Sequence, residues 1–302
     1  MSDATAAQDR PTAVVTGASA GIGKATARRL LESGWRVIVV GRDPQRCATA
    51  EAELRAAVPA APVDVLRADF TSMAEVARIA REITALTPRL DVLINNAGGV
   101  RDRQVITDEG LEATFAANHL APFLLTQALM PLLESTAGRR PAGAVRVISV
   151  SSSGHRMAAA GMSWDDLQSI HDYTGALAYC RAKLANILFT RELARRAAPS
   201  GIVAQSMHPG VVDSNFASHG DEAMQAHMAA ARKVSPEEPA ETLVWLAASA
   251  EGGERPGRYF HALAEETPSD AALDAAAAER LWRESEALLS TLGFPARRDL
   301  VG

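Results

Sequence analysis

The chain has 302 residues, 47% hydrophobic and 22% charged, with a formal net charge of -5. That is an ordinary globular balance, long enough for a large core, and its acidic sign argues against a nucleic-acid-binding surface. Only two cysteines, Cys47 and Cys180, are present, which excludes a disulfide scaffold and suits a reducing compartment. Residues 1–10 hold no apolar run behind basic residues, and no apolar stretch reaches membrane-spanning length. A cytoplasmic protein without membrane association is therefore expected.

Short apolar runs alternate with helical patterns along the chain. "TAVVTG" from Thr12 opens the series, followed by "RVIVVG" from Arg36, "VDVLRAD" from Val63 and "LDVLINNAG" from Leu90. "AVRVISVSS" from Ala144, "GIVAQSMHPG" from Gly201 and "GRYF" from Gly257 complete seven expected strands. They are rich in Val and Ile on both faces, the pattern of strands buried on two sides. Between them, residues 21–33, 44–58 and 73–86 carry Ala, Leu, Glu and Arg at helical spacing. Repeated strand–helix alternation predicts a single-domain, doubly wound α/β (Rossmann) fold: a seven-stranded parallel sheet with helices on both faces. Residues 1–10 read as a flexible tail. Residues 261–302 read as a C-terminal helical extension, its helix spanning residues 269–292 and packing through Leu281, Trp282, Leu288 and Leu289.

"VVTGASAGIGKAT" joins the first strand to the first helix, with Gly17, Gly21 and Gly23 spaced G-x-x-x-G-x-G. Glycines there let the backbone turn tightly and approach a pyrophosphate, while the following helix offers free N–H groups and the positive end of its dipole. Together with "NNAG" at residues 95–98 and a Tyr179-x-x-x-Lys183 pair, in that order, this resembles the short-chain dehydrogenase/reductase family over roughly residues 12–260. "ANHLAPFLLT", "SSSGHRM", "AYCRAKLANILFTRELARR", "HPGVV" and "AERLW" are similar to its retinol-dehydrogenase-like branch. Vertebrate members of that branch often carry a membrane anchor, and none is expected here. The family also includes monomers, dimers and tetramers, so a homo-oligomer is compatible with the resemblance.

The resemblance implies a nicotinamide cofactor held by Gly17, Ser19, Gly21, Ile22 and Gly23. A carboxylate at the tip of the second strand would favour NAD(H), whereas an arginine accepts the 2′-phosphate of NADP(H). Here Gly41 stands at the tip and Arg42 follows, while Asp43 before Pro44 reads as a helix N-cap. NADP(H) is therefore expected over NAD(H), with Arg42 as the phosphate clamp; the alternative is a solvated loop arginine. Asp69 and Phe70 match the family's adenine-contacting segment, and Asn96, Ala97 and Gly98 the segment that borders the adenosine end. Pro209, Gly210, Val212 and Ser214 match the segment near the nicotinamide carboxamide.

Reduction of a carbonyl by hydride leaves an alkoxide that needs a proton. A free phenol, with a pKa of about 10, is a poor relay near neutrality, and bringing it there takes ~4 kcal/mol of differential interaction. Lys183, one helical turn beyond Tyr179, is expected to supply that charge together with the oxidised nicotinamide, and by resemblance to bind the ribose hydroxyls. The resemblance places the substrate-orienting serine at Ser152, with Ser151 as the alternative. It also makes Asn118 the support of a water relay to the lysine.

On the substrate side, Met157, Met162 and Trp164, and then Phe216, Met224, His227 and Met228, fall in irregular stretches beside the expected cleft. Adaptable sulfur and aromatic side chains suit a hydrophobic ketone or aldehyde, although any one of them could equally be core packing. The seven histidines show no metal-ligand spacing and read as structural or solvent-facing. The leading expectation is an NADPH-dependent carbonyl reductase, reversible as an alcohol dehydrogenase. The alternatives are an epimerase or dehydratase on the same fold, or an NADP-binding redox sensor without turnover.

Overall fold

A computed structural model describes residues 10–213 and 220–295. The expectations for residues 1–9, Ser214 and Phe216 lie outside the described residues, as does that for the His227 side chain. Strands β1 (Thr12–Thr16), β2 (Arg36–Gly41), β3 (Val63–Arg67), β4 (Val92–Asn95), β5 (Arg146–Val150), β6 (Val203–Met207) and β7 (Tyr259–His261) all run parallel in one sheet, ordered β3-β2-β1-β4-β5-β6-β7. An eighth, two-residue strand, β8 (Ala264–Glu265), pairs antiparallel with β7 and corrects the expected count of seven. The reason is a tight hairpin whose two central residues, Ala262 and Leu263, both take positive φ (45° and 65°). Neither carries the Asn or Gly that usually announces such a turn.

Buried strands divide their side chains between two cores. From β1, Val14 faces one core while Ala13 and Val15 face the other, and β2 splits Ile38 and Val40 from Val37 and Val39. Helices α1 (Gly21–Glu32), α2 (Pro44–Ala57) and, later in the chain, 237–248 cover the second core with Leu30, Leu54 and Leu243. The first core is covered by α3 (Met73–Leu86), α4 (Ala121–Ala137), α5 (Gly175–Ala197) and the C-terminal helix. After α6 (Glu222–Ala230) and α7 (Glu237–Ala248) come α8 (Asp270–Leu273) and α9 (Ala275–Thr291). The C-terminal helix expected as one piece is thus broken at Asp274, whose side chain accepts the Ala277 N–H and starts α9 afresh. Trp282 is 1% exposed, sits edge-on to Phe123 at 4.9 Å, and stacks with Phe189 at 5.9 Å. No helix among the described residues is long and apolar enough to cross a membrane.

The strand order reverses between β1 and β4, so connections leave the sheet to opposite faces there and open a crevice at the strands' C-terminal ends. Every sequence-predicted site residue in the described chain lies on a segment that follows a strand's C-terminal end, or on α5 or the turn leading into α4.

Candidate active site

The glycine turn after β1 forms one wall of that crevice. Gly17 has φ +66°, and a Cβ there would sit 2.8 Å from the Ala97 Cα, so only glycine lets the β1 turn touch the β4 turn. Gly21 (φ +53°) meets nothing within 4 Å of such a Cβ and leaves its side of the helix start open. At Gly23 the same atom would fall 2.6 Å from the Gly17 carbonyl oxygen, which makes that glycine a packing requirement. Ile22 points to the second core instead. The first turn of α1 carries no acidic residue and its N-cap, Ala20, offers no side chain to the free N–H groups. A helix start with neither a side-chain cap nor an acidic residue fits a pyrophosphate.

Thr16 ties the two turns together: its hydroxyl donates to the Ile94 carbonyl and accepts the N–H groups of Asn96 and Ala97. Asn96 returns a 2.8 Å bond from Nδ2 to the Thr16 carbonyl. Sequence reasoning missed Thr16 because a strand-end threonine carries no distinguishing signal.

A cleft of about 490 Å³ runs over these turns and is lined by Gly17, Ser19, Arg42, Asp69, Gly98 and Asn118 among others, with Phe70 and Ala97 also in its wall. At the tip of β2, a Cβ on Gly41 would fall 2.5 Å from the Cys47 Sγ and 2.9 Å from the Ser19 Cβ. Arg42 is exposed and its Nη1 lies 3.7 Å from Asp69 Oδ2; the other oxygen of Asp69 accepts the N–H and hydroxyl of Thr71. Asp43 is the N-cap expected of it, accepting the Arg46 N–H at 2.8 Å.

Asn118 lies in a π-helical turn, residues Ala116–Leu120, that leads into α4. Its Nδ2 donates to the Thr114 carbonyl, the acceptor four residues back that an α-helical ladder reserves for the backbone N–H. It also donates to the Gly99 carbonyl while Oδ1 accepts the Gly99 N–H, so both ends of the amide hold the loop after β4.

Thr174 caps α5, accepting the Leu177 N–H, and the helix then presents Tyr179 and Lys183 one turn apart. Both are buried, at 9% and 4% exposure. Lys183 Nζ donates to the Val150 carbonyl at 2.9 Å and lies 5.6 Å from the centre of the Tyr179 ring. A Cβ on Gly98 would stand 3.2 Å from that Nζ and 2.5 Å from Asn118 Oδ1, so the β4 loop threads between the asparagine and the lysine.

Ser151 and Ser152 have different surroundings. Ser151 is buried and its hydroxyl is consumed by the Lys183 backbone carbonyl at 2.7 Å. Ser152, the next residue, hydrogen-bonds the Tyr179 side chain. Its Oγ accepts the Gly154 N–H, which leaves its own proton to donate.

In the protein, burial pushes the Tyr179 phenol up from its ordinary value, opposed by the Ser152 hydroxyl. Burial also pulls Lys183 down to about 8, which leaves it mostly protonated at neutral pH. Desolvation is the largest influence on both side chains.

Two groups stand apart from the 490 Å³ cleft. Ser152, Tyr179 and Lys183 are not in its lining, nor is the loop after β6. In that loop, Gly210 (φ +75°) donates its N–H to His208 Nδ1, and Val212 is buried and bridges to Val234; Pro209 is half-buried beside them. Of the residues expected to shape a substrate pocket, Met162 is buried in the first core, and Trp164 and Met224 pack against that core. Met157 is 74% exposed. Arg280 lies over the Trp164 ring at 4.5 Å.

A doubly wound sheet, a glycine turn at an open helix start and a half-buried serine beside a buried Tyr–Lys pair define a dinucleotide-dependent oxidoreductase. The short chain dehydrogenase family model matches residues 11–164. Retinol dehydrogenase 14 of Homo sapiens is 37% identical over 93% of this chain and 87% of its own length. Polyprenol dehydrogenase of Mus musculus is 36% identical over 90% of this chain and 82% of its own. Among solved structures, the Pseudomonas aeruginosa RhlG/NADP active-site complex superposes with a TM-score of 0.66 at 30% identity, covering 83% of this chain and 93% of that one. The chain belongs to the short-chain dehydrogenase/reductase family, in its retinol-dehydrogenase-like branch. It is an NAD(P)-dependent oxidoreductase acting on CH–OH and C=O groups.

Proposed function

We propose that the protein is a single-domain, NADPH-dependent reductase of hydrophobic ketones or aldehydes, reversible as an alcohol dehydrogenase. The observation that carries the reading is the convergence of the Ser152 hydroxyl, the Tyr179 phenol and the Lys183 ammonium beside Gly98.

When bound, the nicotinamide supplies the hydride. The chain's own residues do the rest. Ser152 donates a hydrogen bond to the carbonyl oxygen and orients it. Tyr179 gives its hydroxyl proton to that oxygen as negative charge develops, so carbonyl, hydride and proton together make the alcohol. Lys183 places a buried positive charge next to the phenol and stabilises the phenolate left behind. Asn118 fixes the loop that carries Gly98 and so sets the distance between lysine and cofactor site. Pro209, Gly210 and Val212 would border the nicotinamide from the β6 side.

Two observations support NADPH over NADH. A side chain at position 41 would collide with Cys47, so the strand tip has no room for the carboxylate that selects NAD(H). Arg42 stands exposed at the rim of the cleft beside Asp69, where a 2′-phosphate can take its guanidinium. The structural neighbour complexed with NADP points the same way. The apolar alcohols in its relatives' names, retinol and polyprenol, support a hydrophobic substrate. A panel of hydrophobic aldehydes and ketones, followed by loss of NADPH absorbance with NADH in parallel, tests the proposal. Turnover with NADH preferred, or with none of the panel, counts against it.

A further inference from the structure

The turn Ser153–Met157 directly follows Ser152, and its histidine, His155, is completely buried. Both ring nitrogens are committed to backbone. The Ser269 N–H donates to Nε2 at 3.1 Å. Nε2 is therefore an acceptor, and the proton of the neutral ring sits on Nδ1. Nδ1 lies 2.7 Å from the Ser152 carbonyl and donates to it. The same carbonyl accepts the His155 backbone N–H at 3.1 Å. Burial lowers the imidazole's pKa and keeps the ring neutral.

The ring cannot drift. Tyr259 lies edge-on to it at 5.2 Å, with its hydroxyl 3.5 Å from Nδ1. Next in the chain, Arg156 donates to the Glu266 carboxylate and the Thr267 carbonyl. The segment after β8 is thus clamped onto the turn after β5 at two consecutive residues, although more than a hundred residues separate them in sequence.

We propose that His155 is a positioning residue: its Nδ1–H holds the Ser152 backbone so that the Ser152 hydroxyl stays on Tyr179, and the Ser269 N–H fixes the tautomer that makes this bond. The inference rests on the reading that Ser152 and Tyr179 carry the proton transfer. A misplacement of about 1 Å costs on the order of 100-fold in rate, so one backbone hydrogen bond at this residue matters.

Two substitutions separate the bonds. In His155→Asn the amide Nδ2 occupies the Nδ1 position and donates to Ser152. In His155→Gln the terminal amide reaches the Nε2 position and accepts from Ser269, while the Ser152 bond is lost. Measured with NADPH and the best carbonyl of the panel above, His155→Asn is expected within about threefold of the parent kcat, and His155→Gln roughly 10- to 100-fold below it with KM for NADPH unchanged. The pH profile for alcohol oxidation should move to higher pH in His155→Gln only, because the Ser152 hydroxyl helps the phenolate. Ser269→Pro removes one N–H and keeps the histidine; a roughly three- to tenfold loss of kcat is expected.

Long-range 1H–15N spectra of the full chain provide a readout without substrate. They should show His155 neutral and protonated on Nδ1 from pH 6 to 8. An Nε2–H ring, a ring titrating near its ordinary value, or equal kcat for the Asn and Gln variants overturns the proposal. Tyr179→Phe is the control. If it keeps full turnover, the underlying reading falls and this inference with it. If it is inactive while His155→Gln matches the parent, only the role of His155 falls.

Discussion

The ammonium of Lys183 lies 5.6 Å from the centre of the Tyr179 ring and donates a 2.9 Å hydrogen bond to the Val150 carbonyl at the end of β5. The lysine is thereby anchored to the sheet while its charge stays beside the phenol. Tyr179→Phe keeps the ring's packing and removes the proton. It is expected to lower kcat by roughly 10²- to 10⁴-fold, the usual range for a positioned acid. NADPH binding, read by quenching of tryptophan fluorescence, should stay within about twofold, since one ring hydroxyl is lost without a new clash.

Lys183 also makes a pH prediction. Its value in the folded chain, about 8, lies below the ordinary 10.5. Between those values the unfolded chain binds the extra proton, so the cost of burying the charge is full below pH 8 and is relieved as pH rises toward 10.5. Cys180, raised by burial to about 11, works in the opposite direction above pH 9, as do the raised Tyr179 and Tyr259 above pH 10. The clean quantity is therefore the stability of the parent minus that of Lys183→Met, from urea midpoints at several pH values. It should rise by a few kcal/mol, roughly 3 at most, between pH 8 and 10.5. The Val150 carbonyl keeps a partner in the variant, because Asn186 Nδ2 also donates to it. A flat difference would refute the buried-charge account.

Arg42→Ala should raise KM for NADPH by about tenfold and leave KM for NADH within twofold, the size of one charge-assisted hydrogen bond at an exposed site. Equal effects on both cofactors would place Arg42 elsewhere than on the 2′-phosphate.

Trp282→Ala opens a cavity between α9, α4 and α5, where the indole contacts Phe123, Phe189 and the Arg196 guanidinium. A cost of roughly 3–5 kcal/mol is expected, seen as a lower urea midpoint. If the midpoint moves by less than about 1 kcal/mol, α9 contributes little to the first core.

Arg146 is buried in β5 and gives hydrogen bonds to the carbonyls of Gly143, Leu246 and Ser249. Burial brings it down to about 10. Arg146→Met would leave three carbonyls without that donor and should destabilise by roughly 3 kcal/mol or more, measured by calorimetry.

The order of strands and helices, the glycine turn, the Asp43 cap and the Tyr179–Lys183 spacing were legible in the amino-acid sequence. Each is a local pattern: short continuous apolar runs between helical spacings, helix-start chemistry, or two side chains one turn apart. What lay beyond it was decided by groups distant in the chain. The Ser151 hydroxyl is taken by the Lys183 carbonyl, thirty-two residues away in sequence, and that of Ser152 is not. The crowding of Gly41 by Cys47, the π-turn held open by Asn118 and the bridge from Ser269 through His155 to Ser152 likewise join residues that no spacing rule connects. The direction of the Tyr179 titration belongs with them, because desolvation depends on every atom packed around a group, and the sequence names only its neighbours along the chain.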